Sequence, residues 1–277
     1  MFDVHDGQIL HPLLVPLCVD ERGCVPLHLN HAPPGSLILF DRGYPAQWLF
    51  ALLQQQGAHF VMRLPAGYNP DVNAFLQSGL AEQEIAFAAR HWAPRQACAE
   101  AGVDPDAPVQ LRLIRVPLAT GETEILATSL RDAQRFPAAE FAGLYHLRWG
   151  VETDYRRLKQ TLDLENFSGR SVRAVKQDFY AAQFLKNLAQ LLLRSQQAAI
   201  DRRHRNHKHR WKANFTQGVS RLKNTLVKLV IRPCAELMAH LLAQFRQSLS
   251  VIRPGRSFPR QRRRPATSGC EGYKPTR

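Results

Sequence analysis

The chain has 277 residues and a formal net charge of +14 at pH 7. That length is sufficient to bury a substantial core, as one large domain or as one domain with an insertion. The positive charge indicates a polyanionic partner. Nucleic acid is favoured over a membrane, because no apolar run approaches the ~20 residues that a spanning helix requires.

The cysteines and the N-terminal residues predict a cytoplasmic protein. The five cysteines are odd in number, widely scattered and without a CxxC pair, which is typical of reduced cysteines in the cytosol. The N-terminal residues lack a basic stretch, and Asp3, His5 and Asp6 interrupt any apolar core. No secretory signal is therefore predicted.

Short strands alternate with a helix over the first 65 residues. The predicted elements are a hairpin with strands at Phe2–Val4 and Ile9–Val15, a strand at Leu37–Phe40, a helix over about 46–56 and a strand at His59–Arg63. The hairpin turn is an Asp-Gly pair, and Leu37–Phe40 is a continuous apolar run typical of a fully buried strand. This alternation predicts an α/β fold.

The pattern changes over residues 66–122, which Pro and Gly punctuate and in which Val109–Val116 alternates as a half-buried strand. We interpret this segment as a β-rich insertion. A core strand follows at Glu124–Thr128. Three further helices are predicted over about 174–196, 214–231 and 234–249, before a Pro/Arg-rich tail at 253–277 that has little means of folding.

One predicted helix aligns an acid with two bases and a tyrosine. At ~100° per residue, Tyr145, Arg148, Glu152 and Lys159 fall within a stripe about 60° wide. Beside it runs an apolar stripe of Leu144, Leu147, Val151, Tyr155, Leu158 and Leu162. A carboxylate between two cations suits a phosphodiester, with the acid on a divalent metal and the bases on phosphates. The alternative is an ordinary amphipathic helix with solvated charges.

Asp41 directly follows the predicted strand Leu37–Phe40. Side chains at the carboxyl end of a strand in an α/β sheet are placed to meet a ligand. The alternative is a turn, because Asp followed by Arg-Gly is ordinary turn chemistry.

A strongly basic run occupies residues 201–210. Its cations are Arg202, Arg203, Arg205, Lys208 and Arg210. We interpret them as facing a DNA backbone. The histidines of the run, His204, His207 and His209, could instead form a zinc cluster, but the surrounding arginines oppose a cation and the run has no cysteine.

The spacing Y-x2-R-x3-E-x6-K, carried by Tyr145, Arg148, Glu152 and Lys159, resembles the signature of one large branch of bacterial insertion-sequence transposases of the DDE class. The tract Asp41-Arg-Gly-Tyr44 resembles the second-carboxylate motif of the same family. Further resemblance lies in three tracts, Thr128-Ser-Leu, Phe167-Ser-Gly-Arg170 and Gln177-Asp-Phe-Tyr-Ala181.

The resemblance implies a ribonuclease-H-like core interrupted by a β-rich insertion and followed by a C-terminal helical region. Asp41 and Glu152 would be catalytic and would bind Mg²⁺, with Mn²⁺ as a substitute, for two-metal phosphoryl transfer. Tyr145, Arg148 and Lys159 would bind the phosphates of the transposon end. The implied function is DNA transposition by a homodimer on double-stranded DNA, in the cytoplasm and associated with the bacterial nucleoid.

The resemblance also implies a division of the chain. The expected segments are a first core part at 1–65, the insertion at 66–122, a second core part at 123–197, a basic helical region at 198–252 and a basic disordered tail at 253–277.

The sequence departs from the family at the first catalytic aspartate. In relatives the strand that carries it lies before the position matching Met1, so the chain is expected to be truncated or internally started. Asp3, Asp6 and Asp20 are the nearby carboxylates, and Asp3 is expected on the second strand of the catalytic sheet. Two alternatives follow, namely a non-catalytic DNA-binding or dimerising fragment that inhibits full-length transposase, and a ribonuclease-H-type nuclease without strand transfer.

Overall fold

The computed structural model of the chain describes residues 1–89, 91–118 and 120–253. The predicted tail, apart from Arg253, lies outside the described residues. The strands are β1 (Phe2–Asp3), β2 (Gln8–Ile9), β3 (Leu37–Phe40), β4 (His59–Leu64), β5 (Glu82–Phe87), β6 (Val109–Pro117), β7 (Thr123–Thr128), β8 (Trp211–Ala213) and β9 (Leu249–Val251). The helices are α1 (Val25–Leu29), α2 (Gln47–Gln55), α3 (Pro70–Ser78), α4 (Trp92–Glu100), α5 (Phe141–His146), α6 (Trp149–Thr161), α7 (Val172–Ser195), α8 (Gln197–Arg203), α9 (Phe215–Ile231) and α10 (Ala235–Gln247).

The chain divides into two compact units. Residues 15–150 form one, here called the sheet unit, and residues 1–14 together with the described residues from 151 onward form the other, here called the helical unit. These boundaries do not coincide with the segment boundaries predicted at 65/66 and 122/123. Within the described ranges, no helix is both long and apolar enough to span a membrane.

The sheet unit is built on a five-stranded mixed sheet in the order β3-β4-β7-β6-β5. β3 runs parallel to β4, and the other neighbours are antiparallel. The predicted α/β class is confirmed. The segment 66–122 does not stand apart from the predicted core, because its strands β5 and β6 belong to the same sheet as β3 and β4.

Alternation along β4 divides the two faces of the sheet. Phe60 and Met62 pack in one apolar cluster with Phe50 of α2, whereas Val61 packs in a second cluster with Tyr145 of α5. All five side chains are buried. Burial of side chains of this size contributes about 1.5–3 kcal/mol each, so both faces of the sheet hold helices in place.

The core of the helical unit lies between α7, α9 and α10. Leu193 of α7, Leu222 of α9 and Phe245 of α10 are buried in one cluster. Gly218 of α9 packs directly on Leu193, where a Cβ atom would lie 2.7 Å from a leucine methyl carbon. The glycine therefore allows the two helices to approach closely.

The N-terminal hairpin packs on α7 and forms its own two-stranded sheet. The Asn187 side chain accepts a hydrogen bond from Ile9 N at 2.8 Å and donates one to Ile9 O at 2.8 Å. Because these backbone groups are bound to α7, β2 is not part of the five-stranded sheet. The expectation that Asp3 lies on the second strand of the catalytic sheet is therefore wrong in this structure. Asp3 instead accepts a hydrogen bond from Asp6 N at 3.1 Å, in the hairpin turn.

The predicted strands at residues 37, 59, 109 and 124 and the predicted helices at 46, 174, 214 and 234 are all present, with ends within a few residues. The second hairpin strand ends at Ile9, earlier than predicted. The sequence pattern did not reveal α3, β5 and α4, which occupy much of the segment 66–122.

Candidate active site

Asp41 lies at the carboxyl end of β3 in the sheet unit and is partly exposed. Its Oδ1 atom accepts a hydrogen bond from Gly43 N at 2.7 Å, and its carbonyl accepts one from Tyr44 N at 3.3 Å. The turn interpretation of Asp41 is thus correct as a description of the backbone. It does not compete with the ligand interpretation, because a carboxylate has about four acceptor positions and the turn uses one.

Tyr145 lies on α5, with 5% of its surface exposed. Its hydroxyl donates a hydrogen bond to Phe40 O at 3.0 Å, and Phe40 is the residue before Asp41. Burial raises the pKa of the phenol to about 12, while the charges of neighbouring residues have smaller effects: Arg148 and Arg63 lower the pKa, and Glu124 and Asp41 raise it. In this structure Tyr145 therefore fixes the end of β3, while its predicted role at DNA phosphates stays a prediction.

Two charged side chains near Tyr145 were not identified from the sequence. Arg63 of β4 and Glu124 of β7 form an ion pair at 2.7 Å, and the carboxylate is the more buried partner. These two strands are neighbours in the sheet. Only that pairing brings the two residues together, so no local sequence signal could have identified the pair.

Arg148 lies between α5 and α6, with its guanidinium against two aromatic rings. Its Cζ atom lies 5.7 Å from the centre of the Tyr145 ring and 5.2 Å from that of Trp149. Such cation–π contacts contribute about 0.5–1 kcal/mol at exposed sites, and more where the cation is desolvated. They orient Arg148 beside the tyrosine that fixes β3.

The single helix predicted across Tyr145 and Lys159 is interrupted. α5 ends at His146 and α6 begins at Trp149. At the interruption the backbone hydrogen bonds span three residues, as in Arg148 N to Tyr145 O at 3.1 Å and Gly150 N to Leu147 O at 2.9 Å. Three-residue bonds give 3.0 residues per turn instead of 3.6. The predicted stripe from Tyr145 to Lys159 is therefore wrong as one continuous helical face.

The predicted apolar stripe is correct only in part. Leu158 and Leu162 are buried in the helical unit. Tyr155 is 57% exposed and Leu147 is 36% exposed. Leu147 departs from the stripe because it lies at the interruption, where the angular spacing changes.

Glu152 lies in the first turn of α6, where a negative charge is favourable at the helix N-terminus, and it is half-buried. Lys159 lies seven residues further on, at about −20° around the helix, and therefore on the same face. Its ammonium forms an ion pair with Glu165 at 2.5 Å. Both partners are at least half exposed, and exposed pairs contribute only about 0–1 kcal/mol. Lys159 can therefore exchange Glu165 for a phosphate at little cost.

The opposite side of α6 carries a second acid that the sequence analysis did not single out. Asp154 is buried and forms an ion pair with Lys186 of α7 at 2.9 Å. Burial raises the pKa of Asp154 and lowers that of Lys186, while each partner's charge acts in the opposite direction. A lysine within an apolar helical pattern looks like a surface position, so its burial could be recognised only from the packing of α7.

The basic run covers the last turn of α8 and the residues that follow it in the helical unit. Arg202, Arg203, Arg205 and Lys208 are exposed, in agreement with a surface role. Arg210 differs, because its guanidinium is bound to Asp201 by two hydrogen bonds of 2.7 and 3.1 Å.

Two histidines of this run, His204 and His207, pack on Trp211. Trp211 Nε1 donates a hydrogen bond to His207 Nδ1 at 3.2 Å. The His204 ring lies 5.5 Å from the Trp211 ring and 4.8 Å from that of His207. Desolvation, followed by the charges of His207 and Arg203, lowers the pKa of His204. This packing gives the basic run a defined shape.

Donor types for a divalent cation are present in both units, at Asp41 of the sheet unit and at Glu152 of the helical unit. Asp41 and Glu152 provide the carboxylate oxygens that Mg²⁺ and Mn²⁺ prefer. Both side chains are partly accessible. In the described part of the chain, no group of three or more His, Cys, Asp or Glu residues is arranged to hold a metal ion.

The comparisons with known proteins identify the family. The family model described as the transposase DDE domain matches residues 2–188, so the chain belongs to the DDE transposase domain family. The candidate transposase y4zB of Sinorhizobium fredii is 29% identical over 160 residues, which cover 58% of this chain and 43% of that protein. The transposase InsG for insertion sequence element IS4 of Escherichia coli K12 is 38% identical over 65 residues, which cover 23% of this chain and 15% of that protein.

The chain thus matches less than half the length of either relative. Membership of the family supports a function in transposition, and the family's chemistry is metal-dependent polynucleotidyl transfer.

Proposed function

We propose that this chain is a transposase that binds the ends of an insertion sequence and catalyses DNA cleavage and strand transfer. The observation that carries the proposal is the family match over residues 2–188, which includes all five predicted site residues. They are Asp41, Tyr145, Arg148, Glu152 and Lys159.

A ribonuclease-H-like core is part of the proposal. The mixed sheet supports it, because β3 and β4 are parallel and Asp41 follows β3 at its carboxyl end. In α/β folds this end of a parallel strand is where ligands bind. The hydroxyl of Tyr145 strengthens that arrangement by holding the last residue of β3.

Asp41 and Glu152 would hold the divalent cation, Mg²⁺ or Mn²⁺ as a substitute. When bound, such ions activate the attacking oxygen and stabilise the leaving oxygen of a phosphodiester. The protein's own cations would hold the DNA. Arg148 and Lys159 would bind phosphates and neutralise their charge, which is a major part of catalysis at phosphodiesters.

The basic run would extend the DNA contact beyond the catalytic residues. Exposed arginines bind phosphates by charge and by paired hydrogen bonds, and each such contact releases counterions.

We also propose that the protein acts as a homodimer on double-stranded DNA, in the cytoplasm and associated with the nucleoid. The net charge of +14 supports the DNA partner.

The deciding experiment is Mg²⁺- or Mn²⁺-dependent nicking of a duplex that carries the element's own terminal repeat. Glu152→Gln is compared with wild type and with Glu140→Gln, a matched change at an exposed acid ahead of α5. We expect nicking by wild type and Glu140→Gln, and its loss in Glu152→Gln with an unchanged Kd for DNA. Nicking that survives in Glu152→Gln would contradict the site assignment.

A second candidate function is a DNA-binding, dimerising protein that competes with active transposase. It is favoured by the exposed basic run. A folded wild-type protein that binds the terminal repeat, never nicks it and inhibits an active transposase in mixtures would support this second function.

A further inference from the structure

A buried ion pair joins the helix that carries Glu152 to the longest helix of the helical unit. Asp154 of α6 and Lys186 of α7 lie 2.9 Å apart, with 6% and 0% of their side-chain surfaces exposed. Removing two charges from water is unfavourable, and a buried pair is often no more stabilising than apolar residues of the same size. A contribution to stability is thus a weak explanation for this pair.

The Lys186 ammonium also reaches the N-terminal hairpin. It donates a hydrogen bond to Gly7 O at 2.6 Å and lies 4.8 Å from the centre of the Phe2 ring. One cation therefore connects three elements, namely α6, α7 and the turn between β1 and β2. Separating the two charges inside the core would leave each of them without its counter-charge, so the pair resists a relative displacement of α6 and α7 more strongly than apolar packing does.

The position of Asp154 on α6 determines what the pair controls. Asp154 and Leu158, four residues apart, are both buried and form the packing face of α6. Glu152 lies two residues before Asp154, roughly 160° around the helix axis. A helix rotation of about 20° would move a side chain ~5–6 Å from the axis by about 2 Å. The apolar contacts of Leu158 would tolerate such a rotation, whereas it would separate the ion pair, which holds α6 together with the contacts that Arg157 makes with Gln190 and Phe215.

We propose that Asp154 and Lys186 are positioning residues that fix the rotation of α6 and so place Glu152 for polynucleotidyl transfer. This inference rests on the proposed function of Glu152. It assigns no contact with metal or DNA to either residue. The pair acts through the helix that it holds.

The test compares an apolar double replacement with a control in the same region. Asp154→Leu combined with Lys186→Met removes both charges at similar volume, so no buried charge is left unpaired. Asn187→Ala is the control, because it removes both side-chain hydrogen bonds to Ile9 and loosens the hairpin while leaving the ion pair in place. Lys186→Met alone is included, and its Tm should fall most because Asp154 stays buried without its cation.

Two measurements are made on the full chain below the lowest Tm of the set. The first is amide hydrogen exchange over residues 149–157, which needs no catalysis. The second is the nicking rate at saturating DNA. We expect the double variant to keep a Tm near that of wild type and to show at least tenfold less protection from exchange over 149–157. It should also nick DNA about 10²-fold more slowly, since a misplacement of about 1 Å can reduce the rate by that factor. Asn187→Ala should keep the wild-type rate and the wild-type exchange over 149–157.

The outcomes separate the two proposals. Unchanged exchange in the double variant, or a nicking rate equal to wild type, would overturn the positioning role. So would an equal loss of rate in Asn187→Ala, because the hairpin would then be responsible. If wild type itself does not nick, the proposed function fails, while faster exchange over 149–157 in the double variant would still support control of α6 by the pair.

Discussion

Removing one oxygen atom tests the link between Tyr145 and the strand that leads to Asp41. In Tyr145→Phe the ring volume is kept, but Phe40 O loses the hydroxyl that donates to it at 3.0 Å. Both groups of this hydrogen bond are buried. A buried acceptor left without its donor destabilises by about 1–3 kcal/mol. We therefore expect the free energy of unfolding to fall by that amount, and Tm to fall by roughly 2–4 °C per kcal/mol for a chain of this size.

The pH dependence of this effect gives an independent check. Burial raises the pKa of Tyr145 from 10.0 to about 12. A group whose pKa is higher in the folded state stabilises the fold below its unfolded pKa and loses that contribution as pH rises toward its folded pKa. The difference between wild type and Tyr145→Phe should therefore be constant below about pH 9 and shrink between pH 10 and 12.

Urea unfolding of both proteins at a series of pH values measures these differences. The control is Tyr180→Phe, since Tyr180 is 46% exposed on α7 and surface changes of this kind stay within about 0.5 kcal/mol. An unfolding free energy in Tyr145→Phe that equals that of wild type would refute the role of this hydroxyl in holding the end of β3. Kd for DNA, measured on the same samples, tests the separate prediction that Tyr145 contacts phosphates.

Two further predictions concern the helical unit. Arg203→Gln combined with Arg205→Gln should reduce the steepness of log K for DNA against log salt by about 0.9 per residue, because fewer counterions are released when phosphate contacts are lost. Arg210→Gln should change the slope less, because its guanidinium is bound to an aspartate. Equal slopes in salt titrations of both variants would argue against DNA binding by the basic run. Gly218→Ala should lower the free energy of unfolding in urea by about 1–3 kcal/mol, because its Cβ would lie 2.7 Å from a leucine carbon of α7. This steric cost outweighs the ~1 kcal/mol that alanine gains over glycine in helix propensity. Gly143→Ala, where a Cβ meets nothing within 4 Å, is the control and should be neutral or stabilising.

Local patterns were sufficient to predict the elements with a clear apolar pattern. Leu37–Phe40 is apolar throughout and forms a strand, but the prediction that it is fully buried is wrong, because β3 lies at the edge of the sheet and only Phe40 is buried. The long apolar periodicity after residue 172 likewise produced α7. The segment 66–122 was harder, because α3, β5 and α4 are short and carry exposed polar residues between turns. Their inclusion in the sheet unit depends on pairing between β5 and β6, which no local pattern encodes.

For the candidate site too, the local residue pattern was predictable from the sequence, whereas the features that depend on distant parts of the chain were not. Glu152 and its neighbours were predicted as site residues because their spacing resembles a transposase signature, and their catalytic role stays a prediction. The interruption between α5 and α6 was missed, since the sequence around Arg148 contains no proline and Gly150 alone is a weak signal. Ideal helical geometry therefore placed Tyr145 on the exposed stripe, whereas the structure buries it under the sheet.

The interruption and the Asp154–Lys186 pair together explain how the two ends of the signature can be held independently. Three-residue hydrogen bonds at Leu147 and Arg148 separate α5, which is fixed to β3 through Tyr145, from α6, which is fixed to α7 through Asp154. A continuous helix would fix the angle around its axis between Tyr145 and Asp154, so both residues could reach their partners only at that one angle. With the interruption, each half can keep its own buried contacts, so the tyrosine and the helix that carries the glutamate are held by different hydrophobic clusters. Substitutions at Tyr145 and at Asp154 should therefore add in their effects on stability, as expected of sites that share no partner.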